Sequence, residues 1–105
     1  MKFLVVLKLK DTYFNLPVAE QYKLMESSFA FVDRHLESGT CKEIYYIPGA
    51  KGTAIIWEAD SAEELTLRFL ENPMSIYENA EVYVLSNWNE FKSVIRRLYN
   101  KLLAK

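Results

Sequence analysis

The order in which strand-type and helix-type periodicity alternates constrains the fold of this chain more than any other feature. From Phe3 to Lys10, apolar and β-branched residues predict a strand that is apolar on both faces in its middle. Asp11–Leu16 is predicted to be a loop, and Pro17 suits the first position of a helix. The helix is expected to bury one apolar stripe, formed by Val18, Tyr22, Met25, Phe29, Val32 and Leu36. Gly39 is expected to end it as a left-handed cap.

Two further strands follow, joined by a short connection. Lys42–Ile47 and Thr53–Ala59 carry strand-type residues. Between them, Pro48–Gly52 contains a proline and two glycines, which are typical of a turn. The pattern therefore predicts an antiparallel hairpin. Another strand is predicted at Glu81–Leu85, after a second helix.

The second helix is predicted to begin at a capping box. The Ser61 hydroxyl is expected to accept a hydrogen bond from the Glu64 N–H, while the Glu64 carboxylate reaches back to the Ser61 N–H. The buried side of this helix is predicted to consist of Leu65, Phe69 and Leu70. Pro73 stops the helix because proline cannot continue the hydrogen-bond ladder. Charged residues of both helices are assigned to solvated faces and caps: Asp33, Arg34, Glu37, Glu63, Glu64, Arg68 and Glu71.

A third helix is predicted after the last strand. Asn87 is its expected cap, because an Asn side chain accepts hydrogen bonds from the first free N–H groups of a helix. One apolar face is formed by Phe91, Ile95, Leu98 and Leu102. Basic residues lie towards the C-terminal end, where the helix dipole favours positive charge.

The resulting order of strand, helix, strand, strand, helix, strand predicts an α+β fold. It is the ferredoxin-like βαββαβ arrangement, an antiparallel sheet with both helices on one face, here with an extra C-terminal helix. A chain of 105 residues is long enough for one core only. We therefore expect a single domain over residues 1–105, with the βαββαβ core in 1–86 and the additional helix in 87–105.

The sheet face opposite the helices is expected to be apolar. Leu4 and Val6 belong to this open face. They are joined there by members of a set of strand residues, Tyr45, Ile47, Ile55, Trp57, Tyr83 and Leu85. Such a patch is too large to remain in water. A second copy of the chain is the simplest cover, which predicts a homodimer or a higher homo-oligomer, and the chain's own third helix is the alternative.

Composition narrows the choice of partners. Thirteen basic and fourteen acidic residues give a formal charge of −1, which favours neither nucleic acid nor an anionic membrane as a partner. The apolar run Phe3–Leu7 is too short to span a bilayer, so we expect a cytoplasmic protein. One cysteine and one histidine give no disulfide and no ligand spacing for a metal, and the glycines lack the spacing of a phosphate loop. No metal or cofactor is expected.

From Gly39 to Leu85 the chain resembles the muconolactone isomerase-like family of the dimeric α/β barrel superfamily. The residues that carry the resemblance are Gly39, Pro48-Gly49, Ser61–Leu65, Pro73-Met74, Tyr77 and Glu81-Val82. It implies a barrel made by two protomers that encloses a small cavity. In the enzymes that give the family its name, it also implies a proton transfer that moves a double bond in a lactone ring. The C-terminal helix is a departure from the family pattern.

Three residues are candidates for catalysis. Glu58 follows an apolar strand and Trp57, and burial there would raise the pKa of its carboxyl group as an acid/base catalyst requires. His35 is a candidate acid/base near a helix end, and Cys41 a candidate nucleophile. Each also has a structural interpretation: Glu58 as a solvent-facing residue at a strand end, His35 as a solvated helix-end residue, and Cys41 as a small buried residue.

Aromatic side chains give the chain its candidate ligand-binding surface. The residues selected are Tyr45, Trp57, Tyr77 and Tyr83, whose amphipathic rings suit a flat organic ligand. The same rings suit packing at a dimer interface. The leading hypothesis is therefore a dimeric protein that binds a small organic molecule in an aromatic-lined cavity. The alternatives are a muconolactone isomerase-like enzyme and a purely structural or protein-interaction module.

Overall fold

One antiparallel sheet of four strands organises the chain, in the order β2-β3-β1-β4. The computed structural model describes residues 1–49 and 52–105. The strands are β1 (Lys2–Leu9), β2 (Cys41–Ile47), β3 (Gly52–Glu58) and β4 (Glu78–Leu85). The helices are α1 (Asp11–Phe14), α2 (Val18–Ser38), α3 (Ala62–Leu70) and α4 (Trp88–Leu103), with a 3-10 helix at Pro73–Tyr77. The predicted α+β, ferredoxin-like order is confirmed, while Ala50 and Lys51 of the predicted turn lie outside the described residues.

The register of the central strand β1 decides which side chains face the helices. Phe3 lies opposite Trp57 of β3, and Val5 lies opposite Ile55. Because side chains alternate along a strand, these four residues share one face. They belong to the core that α2 and α3 cover, which consists of Phe3, Val5, Leu7, Phe31, Cys41, Ile55, Trp57, Ala59 and Leu65.

This register corrects the predicted composition of the open face. Ile55 and Trp57 were candidates for that face, yet both are buried beneath the helices. Ile56 takes their place on the open side, opposite Leu4. Both faces of β3 are apolar, so alternation alone does not say which residues point to the helices. Leu4 and Val6 lie on the open face as predicted, half-buried.

Two glycines satisfy backbone requirements at the ends of these elements. Gly39 has φ of 81° and ends α2 in the left-handed region, which confirms the predicted cap. Gly52 lies opposite Lys8 in the β1–β3 ladder, and a Cβ atom there would lie 2.2 Å from the carbonyl oxygen of Leu7. The two strands can therefore approach each other at this point only because residue 52 has no side chain.

The connection between β1 and α2 differs from the predicted loop. Residues Asp11–Phe14 form one helical turn, α1, and the side chain of Tyr13 is buried. The Tyr13 hydroxyl donates a hydrogen bond to the carbonyl oxygen of Gln21 at 2.8 Å. Pro17 precedes the first helical residue, so it serves as the cap of α2 instead of its first position. The turn thus anchors the start of α2 through a buried aromatic residue.

Helix α3 begins as predicted but exposes a different set of residues. The Ser61 hydroxyl accepts from the Glu64 N–H at 3.1 Å, while the Glu64 carboxylate accepts from the Asp60 N–H and not from that of Ser61. Leu70, predicted to be buried, is 68% exposed because it lies on the flank of α3 that faces β4. Arg68, predicted to be solvated, is buried instead. Its guanidinium group donates to the Glu58 carbonyl oxygen at 2.6 Å, which accounts for its burial.

Helix α4 stands apart from the rest of the protein. Asn87 caps it as predicted, accepting from the N–H groups of Asn89 and Glu90. No residue of α4 is buried. The molecule measures 65 Å along its longest axis but only 29 and 24 Å along the others. The third helix therefore does not cover the open face of its own sheet, which was the alternative to a second copy.

Candidate functional site

A cavity of about 660 Å³ lies between α2 and the helix-facing side of the sheet. Its walls are mostly apolar. On the α2 side they include Met25, Phe29, Val32 and Leu36, and on the sheet side Ile44, Tyr46, Ile55 and Trp57. The four α2 residues belong to the stripe that the sequence predicted to be buried. They face an open space instead of close-packed side chains, so Phe29 and Leu36 remain exposed.

Glu78 contributes a carboxyl group to the wall of this cavity. It is the first residue of β4 and lies half-buried on the helix-facing side of the sheet. Burial raises the pKa of its carboxyl group from 4.5 to about 7. The group is therefore divided between its protonated and ionised forms at neutral pH, and it can both donate and accept a proton there.

Asn72 adds a fixed amide beside Glu78 in the wall. It is buried, and its side-chain nitrogen donates to the Ser28 hydroxyl at 3.1 Å. Its side-chain oxygen accepts from the Met74 N–H at 3.1 Å, which caps the 3-10 helix. These contacts tie α2 to the segment before β4, and so they position Glu78 relative to α2.

Trp57 forms the buried end of the wall. Its ring contacts His35 and Phe31 at centroid distances of 5.1 and 6.2 Å. The guanidinium carbon of Arg68 lies 5.3 Å from the ring centroid, in the range of a cation–π contact. The indole nitrogen is buried and has no hydrogen-bond partner among the described residues. The predicted ligand-binding Trp57 thus lines the cavity, although not in the face where it was expected.

His35 lies in the last turn of α2, outside the cavity wall. Its Nδ1 is 2.6 Å from the hydroxyl oxygen of Thr40, and its ring packs edge-on against Phe31 at 4.7 Å. Partial burial lowers the pKa of His35, and the nearby Arg68 and Arg34 lower it further, whereas Glu71 opposes the shift. The neutral ring is therefore favoured, although the negative end of a helix dipole by itself favours the protonated form.

Glu58 lies on the opposite side of the sheet from the cavity, because it pairs with Lys2 on the open face. The amino group of Met1 lies 3.3 Å from its Oε1 atom, and the Glu58 side chain is 42% exposed. No resolved contact joins its carboxylate to the cavity residues. The structure thus separates the two predicted acid/base candidates, Glu58 and His35, from each other and from the cavity.

The three predicted tyrosines occupy two different places. Tyr45 and Tyr83 are exposed on the open face, where their hydroxyls donate to the carboxylates of Glu43 and Glu81 at 2.9 and 2.7 Å. Those hydrogen bonds raise the pKa of both tyrosines. Tyr77 is half-buried in the 3-10 helix, and its ring lies 6.2 Å from that of Tyr13. None of the three lines the cavity.

Cys41 is a buried core residue, in agreement with its structural interpretation. Burial raises the pKa of its thiol, against a weaker opposite effect of its hydrogen bond to the Glu43 carbonyl. A raised pKa keeps the thiol protonated and unreactive at neutral pH.

Sequence reasoning did not find Glu78, because the predicted strand began three residues later, at Glu81. The signal that identifies it is its place in the β1–β4 register, where Glu78 lies opposite Leu9 on the helix-facing side. That register is set by the pairing of strands distant in sequence. Among residues 1–49 and 52–105, no three His, Cys, Asp or Glu side chains converge as metal ligands would. No helix in that part of the chain is long and apolar enough to cross a bilayer.

Comparison with known proteins gives a structural relationship without a sequence one. No protein-family model matches this chain, and no curated protein matches it in sequence. The crystal structure of muconolactone isomerase is similar, with a TM-score of 0.71 and 24% sequence identity. The similarity covers 83% of this chain and 90% of the isomerase chain. The protein therefore has a muconolactone isomerase-like fold.

Proposed function

We propose that this protein is a cytoplasmic homo-oligomer that binds a small, largely apolar organic molecule in the cavity between α2 and the sheet. The observation that carries the proposal is the half-buried carboxyl group of Glu78 in a wall that is otherwise mostly apolar. A ligand site typically combines an apolar lining with a few fixed polar groups that orient the ligand.

The dimensions of the cavity support this proposal. Its volume of about 660 Å³ falls within the usual range for small-molecule sites. The α2 stripe provides apolar contact area, and Phe29 and Tyr46, both exposed, form the rim where a ligand enters. When protonated, Glu78 donates a hydrogen bond, so an oxygen acceptor on the ligand is favoured over a cation or a second acid.

The test uses N-phenyl-1-naphthylamine, a neutral apolar dye that fluoresces when it leaves water. We expect saturable binding to the full chain, and an affinity roughly tenfold or more lower for Val32→Phe, which fills the cavity from α2. Leu67→Phe is the matched control, because Leu67 is exposed on α3 and lines neither cavity. Equal binding by Val32→Phe and the control would count against the cavity and favour a purely structural module.

The oligomer is proposed to form through the open face of the sheet. Leu4, Val6 and Ile56 lie there with the exposed rings of Tyr45 and Tyr83. A second copy of this self-complementary face would bury the whole patch. Adjacent tyrosines provide a matched test, because Tyr45 points to the open face and Tyr46 to the cavity. Sedimentation should detect dissociation in Tyr45→Lys and not in Tyr46→Lys, and the same oligomer in both variants would contradict the interface.

A second candidate function is acid/base catalysis of the muconolactone isomerase type. It is favoured by the pKa of about 7 of Glu78, since a general acid/base works best when its pKa is near the operating pH. The test is turnover of muconolactone by the full chain and by Glu78→Gln. Catalysis predicts a loss of roughly 100-fold or more in the variant. Dye binding without turnover by the native chain leaves the binding function and excludes this one.

A further inference from the structure

Strand β4 has no helix above it, unlike its neighbours in the sheet. Val82 and Val84 point to the helix-facing side, opposite Val5 and Phe3, yet they are 48% and 59% exposed. The flank of α3 that borders β4 is also apolar. The surface between them, here called the β4 slot, consists of Thr66, Leu70, Ile76, Ala80, Val82 and Val84.

The slot continues into the candidate ligand site. A smaller cavity of about 220 Å³ occupies its inner end and is lined by Thr66, Leu70, Ile76 and Ala80. Leu7, Phe69, Asn72 and Glu78 line both this cavity and the larger one. An occupant of the slot would therefore close the β4 side of the site and cover Glu78 from that direction.

Helix α4 is an apolar helix without a surface to cover. Leu103 lies at one edge of α4, and its other seven large apolar side chains fall, at 100° per residue, within an arc of about 140°. They are Trp88, Phe91, Val94, Ile95, Leu98, Tyr99 and Leu102. Trp88 is 67% exposed and Leu98 48% exposed. A helix of 16 residues is only marginally stable in water on its own, so α4 needs a packing partner. The arc is wider than the seam of a two-stranded coiled coil, and it suits a sheet-and-helix groove.

The net charge of α4 is opposite in sign to that of the rest of the chain. Residues 87–105 contain five basic and one acidic residue, a formal charge of +4. Residues 1–86 contain eight basic and thirteen acidic residues, a formal charge of −5 with His35 neutral. One of those carboxylates, Glu63, lies exposed on α3 one turn before Thr66 of the slot. The core of a second copy therefore attracts α4, whereas the acidic core opposes docking of the whole chain on an anionic membrane.

We propose that α4 of each protomer docks in the β4 slot of a second copy and completes the helical layer above its β4. The connection from β4 to α4 is only Ser86 and Asn87, and it directs α4 away from its own core. Reciprocal exchange satisfies both slots by two-fold symmetry. A helix about 24 Å long, seated twice, buries on the order of 1,000 Å² or more in total, which is the size of a specific interface.

This contact goes beyond the proposed function, because the slot lies on the sheet face opposite to the proposed open-face interface. Each of the two contacts can be disproved without affecting the other. Tyr45→Lys tests the open face and leaves the slot intact, whereas substitutions in α4 test the slot alone. Neither experiment depends on the identity of a ligand.

Disulfide trapping between two singly substituted full-length chains tests the proposal. One chain carries Leu70→Cys in the slot and the other Leu98→Cys on the apolar face of α4. We expect a covalent heterodimer after mild oxidation. Asn100→Cys, on the opposite face of α4, should give roughly tenfold less product. The native Cys41 does not interfere because it is buried. A product with Asn100→Cys equal to that with Leu98→Cys would overturn the proposal.

A chain that carries both Leu70→Cys and Leu98→Cys separates exchange from self-docking. Exchange between copies gives covalent dimers, whereas monomers with an internal disulfide would overturn the proposal. Trp88 fluorescence, taken as the difference between the native chain and Trp88→Phe, provides a second measurement. We expect blue-shifted emission that moves to the red in Leu98→Asp and not in Asn100→Asp. Emission typical of water in the native chain at all concentrations would also overturn it.

Discussion

Glu78 lies opposite Leu9 at the end of the β1–β4 ladder, so its carboxyl group shares the helix-facing side with an aliphatic side chain and not with a cation. Its pKa is raised by burial alone. Nothing in the described structure compensates the ionised form, and the consequence is a measurable pH dependence.

The free energy of unfolding should fall as pH rises from 4.5 towards 7. In this range the native state retains the Glu78 proton with a pKa of about 7, while the unfolded state has lost it. The loss is at most about 3.5 kcal/mol, from the 1.4 kcal/mol equivalent of each pKa unit, and solvent screening of the half-buried group reduces it. Urea unfolding at pH 5 and pH 8 measures it. Glu78→Gln should remove this decline in stability, whereas Glu81→Gln, on the exposed part of β4, should retain it. A decline that persists in Glu78→Gln would show that another group causes it.

His35 should titrate below the ordinary histidine pKa. It is the only histidine in the chain, so its ring proton resonance can be followed by NMR without assignment. Its lowered pKa contributes stability that is complete above about pH 6.5 and is lost as pH falls through the folded pKa. Urea unfolding of the native chain and His35→Gln over pH 5 to 7 should differ in slope accordingly. A measured pKa above 6.5 would contradict the packing of the ring against Phe31 and Trp57.

Arg68→Met should destabilise the protein by roughly 2 kcal/mol. The substitution leaves the part-buried Glu58 carbonyl without its Arg68 donor and removes the hydrogen bond to Glu64 at 3.0 Å. It should also raise the pKa of His35, because Arg68 contributes to lowering it. Arg34→Met, on the exposed side of α2, is the control and should cost less than about 0.5 kcal/mol. Thermal or urea unfolding compares the two, and equal losses would argue against the buried network.

Gly52→Ala should cost roughly 3 kcal/mol or more, because a Cβ at this position overlaps the backbone of Leu7 and the strands must separate. Gly49→Ala provides a graded comparison. Gly49 has φ of 79°, and no atom of residues 1–48 or 52–105 lies within 4 Å of its missing Cβ, so the cost is about 1 kcal/mol of backbone strain. The unfolding midpoints of the two variants show which substitution destabilises the protein more. A smaller loss for Gly52→Ala than for Gly49→Ala would contradict the β1–β3 register.

Most of the fold could be predicted from the sequence, because helix ends are set by interactions between residues close in the chain. Gly39, Ser61 and Asn87 act within one turn of a helix end, and each caps its helix in the structure. Features that depend on contacts between residues distant in sequence were harder to predict. Ile55 and Ile56 are equally apolar, and only the pairing with β1 decides which one faces the helices. Arg68 is buried because the Glu58 carbonyl accepts a hydrogen bond from it, and Leu70 is exposed because it lies on the flank of α3 that faces β4.

The candidate site depended even more on distant contacts. Trp57 was predicted to bind a ligand on the open face, and it lines a cavity on the helix-facing side of the sheet instead. Of the other selected aromatic residues, Tyr45 and Tyr83 lie on the opposite face and Tyr77 lies in the 3-10 helix. Glu78 could be identified only from the β1–β4 register, which places it opposite Leu9, and from the cavity beneath α2.

Strand β4 is hydrogen-bonded to β1 alone among the described strands, and its last four residues, Val82–Leu85, are exposed on both faces. A bare, uncharged strand edge of this kind is the template on which fibrils extend. Glu81 is the nearest charge within β4 itself that would oppose such growth. Dilution or damage to α4 should therefore shorten the shelf life of the protein in solution, because the proposed docking of α4 from a second copy is what would shield β4 from such contacts.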